Sequence, residues 1–135
     1  RVRNKDTMKP LTESAKKGDA MLKRTIKIIN YYRKKNPKLK FVMENPRGSM
    51  YRSPFMKALR PYSEVTTYYC LYGDDRQKRT DFFNNFGLVL TEGYCRARAE
   101  QTVDKIPLCR RYFIPQRLIS SIYKQMKANK AINSN

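Results

Sequence analysis

The stretch Phe41-Val42-Met43-Glu44-Asn45-Pro46-Arg47-Gly48 decides how the rest of the chain is read. Three apolar residues follow a loop, as in a short buried strand. An acid stands directly at the end of that strand. In open α/β sheets, ligands gather beyond the carboxyl ends of strands. Asn45-Pro46 and the freer backbone of Gly48 then suit a site as well as a turn. The plainer alternative is a capped turn with an exposed Glu.

Upstream, Thr12 is a plausible cap for a helix with apolar residues at Met21, Leu22, Ile26, Ile29 and Tyr32. The helix should stop before Pro37, because a residue preceding proline avoids the helical region. Downstream, Ser53-Pro54 reads as a cap with proline at the first helical position of a short helix ended by Pro61. Val65 to Leu71 is rich in β-branched and aromatic residues and reads as a second strand. Gly73-Asp74-Asp75 is a turn. Phe82 to Leu90 reads as a strand, or a strand pair broken at Asn84-Asn85, and residues 91–111 as irregular. A last helix begins at Pro115, with Leu118, Ile119, Ile122 and Met126 on one face. This alternation predicts an α/β domain with a parallel or mixed sheet. The expected organisation is a basic arm over 1–12, one α/β domain over 13–127 and a frayed tail over 128–135.

The chain has 135 residues, 30 Lys and Arg, 11 Asp and Glu, and a net charge of +19. Residues 1–40 carry 14 Lys/Arg against 3 Asp/Glu, and no acid follows Asp104. Such a field attracts polyanions, DNA above all, or an acidic protein surface. The helix cations Lys16, Lys17, Lys23, Arg24, Lys27, Arg33, Lys34 and Lys35 are the candidate nucleic-acid contacts. Arg47, Arg52, Arg76, Gln77, Lys78 and Arg79 are candidates for base or phosphate contact, the latter needing only positive charge. Of ten Tyr and six Phe, Tyr31, Tyr32, Tyr51, Tyr62, Tyr68, Tyr69 and Tyr72 lie among Lys and Arg, which suits stacking on bases or packing in a protein assembly as well as core and sheet packing.

There is no His, which removes triads, His-ligated metals and imidazole acid–base work. Cys70, Cys95 and Cys109 form no C-x-x-C pair, so no metal site is expected. Their odd number and wide spacing predict reduced, partly buried thiols. No apolar run is long enough for a membrane span. The chain opens on Arg1, which predicts processing or a longer parent. The basic, polar stretch Arg1 to Pro10 lacks the apolar core of a secretion signal. A location inside a cell or a virus particle is expected, not secretion.

Thr25 to Gly48, TIKIINYYRKKNPKLKFVMENPRG, resembles the helix, strand and Glu-Asn motif of cytosine-5 DNA methyltransferases. The likeness is closer to the methyltransferase-like proteins of phages and large DNA viruses. These carry Glu-Asn-Pro-x-Gly, a Pro-Phe-Met helix, Thr-Thr-Tyr-Cys-x-Tyr-Gly and Lys-x-Thr-Asp in that order. Pro54-Phe55-Met56, Thr66 to Gly73 (with one extra Tyr) and Lys78-Arg79-Thr80-Asp81 match in sequence order. Asn84-Asn85 sits where that family has Thr-Asn, and Ile114-Pro115 with Leu118 resembles its closing helix. The resemblance covers residues 20–126.

It implies a partial methyltransferase-like, Rossmann-like mixed sheet with flanking helices. It implies that Glu44 is the acid that contacts the cytosine ring, with Asn45 fixing the loop beside it. The family's Gln-x-Arg-x-Arg is met by Gln77 and Arg79, but Asp81 stands where the last Arg belongs. No Cys follows a Pro, and no Gly-rich loop for S-adenosylmethionine is present. Attack on the base needs a thiolate, and methyl transfer needs the cofactor. The resemblance is therefore to the carboxyl-terminal half of the fold. It implies a domain that binds DNA or another polyanion without catalysing transfer by itself and holds no cofactor. A completed fold would be a DNA cytosine-5-methyltransferase using S-adenosylmethionine. The alternative is a basic internal or minor structural protein of a large DNA virus particle, with capsid proteins as partners.

Overall fold

The structure is a computed structural model and describes residues 2–95 and 107–132. It contains helix α1 (Glu13–Lys35), strands β1 (Val42–Pro46), β2 (Ser63–Tyr68) and β3 (Arg79–Asn84), and helices α2 (Leu108–Arg111) and α3 (Gln116–Ala128). Short 3-10 helices cover Met50–Arg52, Pro54–Leu59 and Tyr69–Tyr72. The described residues fall into two compact units. One holds 2–39 and 48–61, the other 40–47, 62–95 and 107–132.

The first unit is built on α1. Thr12 Oγ1 accepts from the Ala15 amide at 3.2 Å, the capping bond its position promised. Glu13 lies at the positive end of the helix dipole and Arg33, Lys34 and Lys35 at the negative end. Ala15, Asp19, Leu22 and Ile26 are buried along one face. Met21 (73 % exposed) and Tyr32 lie outside it, contrary to the sequence expectation. The buried stripe follows the 15–19–22–26 row, and one residue's displacement turns a side chain by about 100° around the helix. The 3-10 helix Pro54–Leu59 packs against α1, with Ser53 Oγ accepting from the Phe55 amide.

The expected basic arm is a turn tied onto α1. The Leu11 amide donates to the Val2 carbonyl, and Asn4 Oδ1 accepts from the Asp6 and Thr7 amides. Arg3 forms an ion pair with Asp19 at 2.6 Å and donates to the Ala15 and Met8 carbonyls.

The second unit is built on a three-stranded sheet in the order β1-β3-β2. Both pairings are antiparallel, so the expected parallel or mixed sheet is corrected. β1 and β2 run in the same direction without pairing, because β3 lies between them. The chain is a mixture of helix and strand, as expected. Glu44 lies opposite Phe82, and Val65 lies opposite Phe82 on the other side. That face carries the core of Phe82, Tyr69, Phe86, Leu88, Leu90, Leu118 and Ile122, with Val42 and Val65 against it.

β3 ends at Asn84, at the break that one of the two readings of Phe82 to Leu90 places there, and a bend rather than a second strand follows. The fully buried Asn84 Oδ1 accepts from the Phe86 amide at 3.2 Å and the Leu88 amide at 3.0 Å. These side-chain bonds take the place of a ladder and turn the chain. Beyond α3, Asn129 Nδ2 donates to the Phe86 carbonyl at 2.9 Å.

The short α2 lies inside the segment expected to be irregular; residues 96–106 of that segment, and 133–135, lie outside the described residues. Cys70 and Cys95 are paired as a disulfide with Cα atoms 6.2 Å apart, which corrects the expectation of reduced thiols for these two. Their approach follows from the packing of the segment after Leu90. Thr67 Oγ1 donates to the Thr91 carbonyl, and the Thr91 amide donates to the Tyr72 hydroxyl, each at 2.8 Å. Cys109 is free and exposed.

Candidate functional site

Alternation along β1 sends Glu44 and Asn45 to opposite faces of the sheet. Glu44 reaches the core side near the sheet edge. Its Oε1 accepts from the Tyr69 hydroxyl at 3.2 Å and lies 3.5 Å from Lys78 Nζ. The Lys78 ammonium also stands 5.0 Å from the centre of the Tyr69 ring, and the Arg76 guanidinium 5.2 Å. The structure thus brings Glu44 and Lys78 together, with Tyr69 between the acid and two cations. Asn45 Nδ2 donates to the Pro46 carbonyl at 2.7 Å, a bond that braces the turn after β1.

Burial pushes the Tyr69 phenol above its usual range, and the Glu44 charge pushes it the same way. A raised pKa retains the proton, so its stabilising contribution is complete below the unfolded value near pH 10 and is lost as pH rises further. Difference titration of the native protein against Tyr69→Phe isolates this phenol. Glu44→Gln is expected to lower its pKa by removing the neighbouring negative charge. An unchanged Tyr69 titration in Glu44→Gln would contradict the contact.

The remaining candidates for base or phosphate contact are dispersed. Arg47 belongs to the other sheet face, where Nη1 meets Glu64 Oε1 and Asp81 Oδ1, each at 3.1 Å. Asp81 is buried and also accepts from Thr66 Oγ1 at 2.7 Å. Burial and the Asp81 charge push the Glu64 carboxyl up, and Arg47 pulls it partly back. Gln77 Nε2 donates to the Cys95 carbonyl. Arg79 is exposed, 5.9 Å from the Tyr68 ring centre. Arg52, in the first unit, donates to the Lys5 carbonyl at 2.8 Å.

Arg76, read from the sequence as a candidate for base or phosphate contact, is 6 % exposed. Its Nε donates to Asp74 Oδ1 at 2.7 Å, and its terminal nitrogens donate to the Arg110 and Phe113 carbonyls. It is a clamp that holds α2 and the residues after it.

The helix cations form the second candidate site. Lys16, Lys17, Lys23, Arg24, Lys27, Lys34 and Lys35 are exposed on α1. Lys16 pairs with Glu13 at 2.6 Å, a solvated contact. Arg33 differs from the rest: Nη1 donates to the Leu59 carbonyl at 2.8 Å, and burial lowers its pKa. It joins α1 to the neighbouring 3-10 helix.

Between these two elements lies a groove of about 480 Å3. Ile26 and Ala58 line it, with Phe55 and Tyr31 as aromatic walls and Lys23, Lys27 and Lys34 along α1. The helix members recur at 23, 26, 27, 30, 31 and 34, a single stripe at helical spacing. Asn30 Nδ2 donates to the Ala58 carbonyl at 2.6 Å and closes the stripe against the 3-10 helix. The sequence reading found the lysines and the tyrosine. It missed Phe55 and Asn30 as parts of a site, because their place depends on a packing partner some 28 residues away.

No helix among the described residues is long and apolar enough to cross a membrane. No protein-family model, curated protein or solved structure matches the chain.

Proposed function

We propose that this chain is a nucleic-acid-binding module on a scaffold related to the carboxyl-terminal half of cytosine-5 DNA methyltransferases, without transfer chemistry of its own. The observation that carries the binding reading is the row of exposed cations along α1, about 34 Å of helix. Phosphate neutralisation by such a row releases counterions and requires no base contact. Glu44 is already engaged by Tyr69 and Lys78, which supports a scaffold role for it in the isolated chain. S-adenosylmethionine and catalysis enter this reading only through residues that would complete the fold. The excess of 19 positive charges favours, as a second reading, a basic structural component packed with DNA in a virus particle.

The test is fluorescence anisotropy with a labelled DNA duplex across a salt series. Each phosphate neutralised steepens the log–log salt dependence by about 0.9. Lys17 and Arg24 lie seven residues apart on one side of α1 and outside the groove. Lys17→Ala with Arg24→Ala is expected to flatten the slope by about 2. Absence of binding, or a slope the double variant leaves unchanged, would rule out α1 as the contact.

A further inference from the structure

The groove beside α1 offers something a phosphate backbone alone does not use. Its interior is apolar, Ile26 being buried and Ala58 and Phe55 facing it, while its cations stand along α1. Its volume lies within the roughly 300–1,000 Å3 typical of small-ligand sites. Two hydrogen bonds, Asn30 to the Ala58 carbonyl and Arg33 to the Leu59 carbonyl, join its walls, so the cleft is preformed. Tyr31 is 53 % exposed at its edge. A lysine accompanies each aromatic wall: Lys23 Nζ is 4.3 Å from the Phe55 ring centre, and Lys35 Nζ is 4.6 Å from that of Tyr31.

Lys23, Lys27 and Lys34 are separated along the axis by about 6 and 10 Å. A ligand that satisfies both the apolar interior and this cationic row must be flat, apolar on its faces and flanked by anions. A duplex keeps its bases stacked inside and presents only phosphates to such a surface. A single strand can turn a base outward and stack it on an aromatic wall. An acidic peptide would match the lysines but has no general need of the aromatic cleft.

We propose that the groove seats an unstacked base of single-stranded nucleic acid, with Lys23, Lys27 and Lys34 holding the adjoining phosphates. The proposal deepens the nucleic-acid reading and rests on it. Tyr31 is the stacking wall that truncation can remove at least structural cost, being half exposed.

The experiment compares a labelled oligothymidylate of about 20 nucleotides with a duplex of equal length, at one salt concentration, using the full chain. The native protein is expected to prefer the single strand. Tyr31→Ala should weaken single-strand binding about fivefold or more, the loss expected for one stacked base, and leave duplex binding unchanged. Phe55→Leu keeps an apolar wall without an aromatic face and should produce the same selective loss. Melting curves matching the native protein establish that both variants are folded. Lys17→Ala, outside the groove, should weaken both ligands alike. Equal native affinity for the two ligands, or equal losses for both in Tyr31→Ala, overturns the base-seating proposal and leaves the nucleic-acid reading standing. Failure of both oligonucleotides to bind overturns both readings and directs attention to an acidic protein surface.

Discussion

Arg76→Ala is expected to destabilise the sheet-bearing unit by about 4 kcal/mol, the range for removing one partner of a buried ion pair. In thermal unfolding this corresponds to a fall of roughly 15 °C for a chain of this size. The substitution removes the guanidinium paired with Asp74 and the side-chain donor to the Arg110 and Phe113 carbonyls. Arg76→Lys should recover only part of the loss, because one ammonium cannot reproduce a planar fork that spans a carboxylate and two carbonyls.

The pH dependence provides a second check. Burial alone would raise the Asp74 pKa, but the hydrogen bonds and charge of Arg76 outweigh it and hold the carboxyl below its usual value. Asp74 therefore contributes stability above its unfolded pKa, and the contribution is lost as pH falls through the lower folded value. Without Arg76 the burial effect is opposed only by the charge of Arg110, and the carboxyl protonates earlier. The gap between native and Arg76→Ala melting temperatures should narrow between about pH 6 and pH 3. A gap that stays constant across this range would show that Asp74 is not the group left uncompensated.

Asn84→Ala is expected to cost about 3 kcal/mol, roughly 10 °C in melting temperature, by leaving two buried amides without an acceptor. Those amides belong to Phe86 and Leu88, both in the core with Leu118 and Ile122. The same substitution removes the Nδ2 donor to the Ser63 carbonyl at 3.4 Å, a weaker contact. Asn84→Asp keeps an acceptor at the same place but buries a charge without a cation partner in these contacts. It should therefore not rescue stability at neutral pH and should improve on acidification. Hydrogen exchange at the Phe86 and Leu88 amides locates the damage. Loss of protection there in Asn84→Ala is the expected result, and retained protection would mean that other acceptors serve these amides.

The sequence by itself determined the elements whose causes are local. Thr12 starts α1 because its hydroxyl caps the first turn, and the approach of Pro37 ends it. Ser53-Pro54 starts a helical turn, and its 3-10 form is the detail that propensity does not set. The Asn84-Asn85 break was legible because an Asn side chain can substitute for backbone partners. The cationic character of α1 was legible from composition alone.

Tertiary structure decided what depends on partners distant in the chain. The strand order β1-β3-β2 places β3 between two strands that precede it, and no local propensity encodes which strands become neighbours. Glu44 meets Lys78 across 34 residues, and Arg76 reaches carbonyls 34 and 37 residues away. A cation read as a phosphate contact thus became a buried clamp, since charge is visible in the sequence and desolvation is not. The groove follows the same rule: its lysines lie on one helix stripe, but its aromatic wall and apolar interior exist only where Pro54–Leu59 packs against that stripe.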